Sequence, residues 1–220
     1  MLSRFVALSI VGFLVSSLFL SCEDRGSEPS FASDTTHFPI GARKPNIYLY
    51  PEANQKISVK LEFPLGGMLT HSDPDYGSGW LVDVEPTGRI NGQYDYLFYE
   101  ARLPDMFQYS SGWIVHSDTL SAFFTHTMTQ AGFTTREITD FIEYWGPRLT
   151  TDSAYEVYPQ QNQQMGGLIC LQVDPRPQSQ LRLFFLIRPA QVNAGDLTIP
   201  FLPRANRHGF HLAEWGVLMQ

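Results

Sequence analysis

Apolar and polar residues alternate from Ile57 to Phe63, with Ile57, Val59, Leu61 and Phe63 on one face and Ser58, Lys60 and Glu62 on the other. A period of two over this length predicts a half-buried strand. Ile47-Tyr48-Leu49-Tyr50, closed by Pro51, and Gly79 to Val84, closed by Pro86-Thr87-Gly88, read as strands on propensity. Tyr94, Tyr96, Phe98 and Glu100 share one face of a further strand, and these first four are expected to pair as an antiparallel meander. The period then changes. Leu120, Phe123, Phe124 and Met128 fall at helical spacing behind the candidate caps Ser117 and Asp118, with Gly132 as the stop. Thr134-Thr135-Arg136-Glu137 is a capping box, and Ile138, Phe141, Ile142, Trp145 and Leu149 continue its helix as one stripe until Pro147 disturbs the last turn. Strands resume at 154–158, 168–173 and 181–187, with a last one over 210–215. Strands, then two helices, then strands predict an α+β fold, an antiparallel β-rich single domain with a two-helix insertion in its middle.

Ahead of this domain the pattern is different. Met1 to Arg4 carries one positive charge, and Phe5 to Leu20 holds nothing more polar than serine, as a secretory signal does. Sixteen residues at ~1.5 Å each make about 24 Å of helix, short of the ~30 Å hydrocarbon layer, and no basic cluster follows. Leu18-Phe19-Leu20-Ser21-Cys22 resembles the bacterial lipobox, in which a small residue precedes a cysteine that is acylated before cleavage. Residues 1–21 are therefore expected to be a signal peptide and Cys22 the lipidated (palmitate-bearing) first residue of a membrane-anchored lipoprotein. Each buried methylene is worth ~0.8 kcal/mol, so two or three acyl chains suffice as an anchor. Outer membrane or cell surface is preferred over the inner membrane, although Glu23 and Asp24 follow the cysteine. Residues 22–43, rich in Ser, Pro and Gly without hydrophobic period, are expected to be a flexible tether, and 44–220 the globular domain.

Cleavage after Ser21 removes Arg4 from the 15 basic side chains and none of the 22 acidic ones, so the mature chain is more negative than the −7 of the whole sequence. No basic cluster exists to neutralise phosphates, which argues against nucleic acid. Cys170 is the one cysteine besides Cys22, so no intramolecular disulfide is available to an acylated chain, and its apolar surroundings predict a free, buried thiol.

Phosphate loops, dinucleotide fingerprints, His-Glu-x-x-His and the Gly-x-Ser-x-Gly elbow are all missing. Asp73-Pro74-Asp75-Tyr76-Gly77 lacks the later carboxylates of a calcium loop, and His208 and His211 specify no third zinc ligand, so no metal and no cofactor are expected. Two readings are left. Tyr48, Tyr50, Tyr94 and Tyr96 on strand faces suit stacking on a sugar or anchoring a protein, which favours a non-catalytic envelope module binding protein or glycan. Alternatively Glu100 and Glu214 form the carboxylate pair of an envelope polysaccharide hydrolase, against the plainer reading of a glutamate satisfied by an arginine such as Arg102.

Lys44-Pro45-Asn46-Ile47-Tyr48-Leu49-Tyr50-Pro51, Gly79-Trp80, Tyr96 to Glu100, the stretch 141–149 and Gly209-Phe210-His211-Leu212-Ala213-Glu214-Trp215-Gly216 together resemble a group of secreted and envelope proteins of unknown function. The resemblance covers nearly the whole domain. It implies a single module behind an export signal and carries over no activity.

Overall fold

A computed structural model describes residues 39–191 and 197–219. The elements are β1 (Ile40–Tyr50), β2 (Gln55–Glu62), β3 (Met68–Asp73), β4 (Trp80–Val84), β5 (Leu97–Leu103), β6 (Trp113–His116), α1 (Leu120–Ala131), α2 (Thr135–Trp145), β7 (Ala154–Gln161), α3 (Asn162–Leu168), β8 (Cys170–Asp174), β9 (Ser179–Pro189) and β10 (His211–Met219). They form an α+β, β-rich domain of three layers. The central layer is a seven-stranded sheet in the order β3-β5-β1-β10-β9-β7-β6, antiparallel except for the β10–β9 pair. On one face lies the antiparallel sheet β4-β2-β8, packed through Ile57, Val59 and Val82 against Leu49, Leu97, Phe184 and Leu212. Helices α1 and α2 cover the opposite face, where Phe124, Met128, Phe141 and Trp145 meet Phe185, Trp215 and Val217.

Local signals read correctly where they were strong. Gly132 ends α1 in the left-handed region at φ 106°, as a residue without Cβ does most cheaply. Thr134 and Glu137 make both bonds of the capping box, and α2 stops at Trp145, before Pro147. Strand β2 buries Ile57, Val59 and Leu61.

Pairing differs from the expected meander. Neither β2 nor β4 joins β1; they form the second sheet with β8, while β1 lies between β5 and β10. The alternation along β2 specified a buried face, and a face says nothing about which strand lies alongside. The strand expected from Tyr94 begins at Leu97, because Ile90 and Tyr94 close a tight loop on each other through two backbone bonds of 2.9 Å. Three short elements, β3, β6 and α3, lacked a readable period.

The expected tether also needs correction at its end. Ile40 to Arg43 belong to β1, and Ile40 and Ala42 are buried, packed in the same core as Leu103 and Leu218. Residues 1–38, including Cys22 and the signal segment, lie outside the described residues. Among the described residues no helix is long and apolar enough to cross a membrane.

Candidate functional site

Strand β1 loses its register to both neighbours between Arg43 and Asn46. Pro45 carries no N–H for the ladder, and Lys44 beside it sits at φ 51°, a left-handed conformation that costs a side-chain-bearing residue ~1–2 kcal/mol. Strain of this kind at a bulge re-aims a side chain. Here it directs the Lys44 ammonium onto a frame of half-exposed rings, 4.0 Å from the centre of Phe98, 4.7 Å from Tyr96 and 5.6 Å from Tyr144. Nζ donates a 3.3 Å hydrogen bond to the Tyr96 hydroxyl, and no carboxylate among the described residues stands in ion-pair reach of it.

Beneath this frame Tyr48 packs edge-on to Tyr96 at 5.5 Å and donates a 2.9 Å hydrogen bond to Asp140 Oδ2, while Asn46 Nδ2 donates to the Tyr48 hydroxyl at 3.4 Å. Asn46 Oδ1 is buried without a partner among the described residues. Burial holds the Lys44 ammonium below its ordinary pKa, against the opposing pull of Asp73, Asp140 and Glu100, and Arg148 adds to the lowering. Burial likewise raises the Asp140 carboxyl, which the Tyr48 bond and Arg136 partly offset. An amine and a carboxyl perturbed by burial beside strained backbone make this corner the candidate site.

The four tyrosines expected as a platform separate. Tyr48 is buried under the corner and is not a surface residue. Tyr96 is at the corner. Tyr50 lies with its ring 5.0 Å from the Arg207 guanidinium, and Tyr94 packs against the core between the sheets, so neither joins it. Lys44 and Asp140 did not emerge as site residues from the sequence; the signal that could have found Lys44 is the Lys-Pro step inside a strand pattern.

Glu100 and Glu214 are not brought together. Glu100 sits between Tyr99 and Ala101, which face the small sheet, so its own side chain faces away and pairs at 2.9 Å with Arg43, not Arg102. Glu214 is fully buried between the sheets, accepts from Tyr99 Oη at 2.7 Å and is ion-paired to Arg182 Nε. The central sheet separates the two carboxylates, which leaves them no common bond to cleave.

His211 Nδ1 meets Ser179 Oγ at 2.7 Å, whereas His208 Nδ1 lies 3.1 Å from the Asn206 carbonyl, so each ring has its own partner. Burial, with Arg207 nearby, pushes His211 down to about 4. Among the described residues no three His, Cys, Asp or Glu side chains gather. Cys170 is buried at the start of β8.

Three clefts of about 390, 580 and 570 Å³ open elsewhere. The first is lined with amides, several of which are already committed within the fold. Gln161 Nε2 holds the Phe201 carbonyl, Gln164 Oε1 takes the Gln161 N–H, and Asn162 bonds both Gln180 O and Arg182 N along β9. At the Lys44 corner the ammonium and the second Asp140 oxygen keep hydrogen-bonding capacity unspent among the described residues.

No family model, curated protein or solved structure matches this chain. The functional reading therefore rests on the corner itself.

Proposed function

We propose that this chain is an exported, lipid-anchored envelope protein whose domain binds a protein or glycan ligand at the Lys44 corner without chemically changing it. The carrying observation is the strained Lys44, whose ammonium is set against three rings with one of its donors used among the described residues. The buried acids support a binding role over catalysis. Glu137, Glu156 and Glu214 are each neutralised by an arginine, Arg207, Arg188 and Arg182, and act as struts. In a pulldown from envelope extract and on a glycan array, the detergent-solubilised mature chain is expected to retain a ligand. Lys44→Met and Asp140→Asn should each weaken retention by about tenfold, the effect of losing one charge-assisted hydrogen bond. Retention indifferent to both changes would remove the corner from consideration.

Support for the anchor comes from the apolar segment before Cys22 and its small residue Ser21. Acylation and a disulfide compete for a single sulfur, because a thioether has no valence left for one. Intact-mass spectrometry of the mature protein is expected to find a chain beginning at Cys22 with acyl mass. A chain beginning elsewhere, or a Cys22–Cys170 disulfide without acyl mass, would overturn the lipoprotein reading.

A further inference from the structure

We infer that the ligand of the Lys44 corner is a neutral, hydroxyl-rich glycan, held by a pair of adjacent hydroxyls bridging Lys44 Nζ and Asp140; this rests on the reading of that corner as the binding site. The unspent hydrogen-bonding capacity defines the ligand. Lys44 Nζ has three donors and one acceptor among the described residues, the Tyr96 hydroxyl. Asp140 receives the Tyr48 bond on Oδ2, and its other oxygen holds no hydrogen bond among the described residues. A donor cation and an acceptor anion at one corner suit a group able to accept from one and donate to the other. A vicinal diol does both.

Charge argues in the same direction. The charged groups around the ammonium are Arg43 and Arg148 on the positive side, with Asp73, Asp140 and Glu100 on the negative. Counting Lys44, cations and carboxylates cancel, and the chain as a whole carries −7. An acidic ligand gains no net attraction here. A cationic ligand gains none either, because the same charges cancel for it. Tyr96, Phe98 and Tyr144 supply apolar surface beside the polar pair, the complement of a sugar ring that presents C–H groups on one face and hydroxyls on its rim. Asn46 Oδ1 below has no partner among the described residues, polar capacity they leave unmet.

The test uses the full mature chain in detergent against an array of neutral, uronate-bearing and sulfated oligosaccharides, followed by saturation-transfer NMR on the unmodified protein with the best neutral binder. Neutral oligosaccharides are expected to bind, with ring C–H protons receiving saturation. Lys44→Met and Asp140→Asn should each reduce affinity by about tenfold, since each removes one hydrogen bond to a charged group. Asp140→Asn keeps the acceptor for Tyr48, so it is the variant expected to stay folded, and the NMR contact does not depend on any variant. Retention of acidic glycans alone, or neutral binding untouched by both changes, would overturn the inference. If the variants abolish capture of an envelope protein while no glycan binds, the corner remains a binding site and only the glycan assignment fails. If no ligand depends on the corner, both fail.

Discussion

Replacing Arg182 with methionine is expected to destabilise the domain by about 3–5 kcal/mol, the usual cost of leaving one member of a buried ion pair uncompensated. Glu214 is fully buried between the two sheets, and its only partners among the described residues are Arg182 Nε and the Tyr99 hydroxyl. Without the guanidinium, the carboxylate either stays charged in an apolar layer or takes up a proton; both weaken the fold. Arg182 also donates from Nη1 to the Ile169 carbonyl at 2.8 Å, tying the sheet to the end of α3. Combining Arg182→Met with Glu214→Leu and Tyr99→Phe should recover part of the loss, because no buried charge is then stranded and only the Ile169 carbonyl loses its donor. Urea denaturation decides between these outcomes. A single Glu214→Gln change that leaves stability untouched would show that the pair is not a strut, and would reopen a chemical role for Glu214.

A chain beginning at Lys44 should be less stable than one beginning at Pro39 by about 3–5 kcal/mol, because it loses the burial of Ile40 and Ala42. It also loses the pairing of Ile40, Gly41 and Ala42 with Leu103, Arg102 and Ala101 on β5, and of Gly41, Ala42 and Arg43 with Met219, Leu218 and Val217 on β10. The Glu100 carboxylate loses Arg43 as well. Equal denaturation midpoints for the two chains would mean that the first part of β1 contributes nothing, and would restore the tether to residue 43.

Legibility along the chain followed the range of the interactions. The cap of α2 was readable because a threonine and a glutamate three residues apart satisfy each other's backbone within one turn. Glu137 then does something no local reading contained: the same carboxylate accepts two 2.9 Å bonds from Arg207, seventy residues on, and fixes the loop before β10. Helix α3 was unreadable because Asn162-Gln163-Gln164-Met165-Gly166-Gly167-Leu168 holds two glycines and no apolar stripe. Met165 and Leu168 gain their burial from the surrounding core. Tyr48 looked like a surface residue because tyrosine alternation usually means one wet face. Its strand lies inside a sheet covered on both sides, so both faces are buried.

The amino-acid sequence by itself determined the class of the fold, the positions of the two long helices and most strand segments, because period, caps and breakers act over a few residues. It also excluded a phosphate-binding basic surface, since charge composition does not depend on folding. Only the tertiary structure decided that β1 lies beside β10, that Glu100 and Glu214 point to opposite faces of one sheet, and that Lys44 and Asp140 are linked through Tyr96 and Tyr48 at one corner. Those facts depend on which strands pair and which helix covers them, and pairing is set by the best burial available to the whole chain, which no short window of residues encodes.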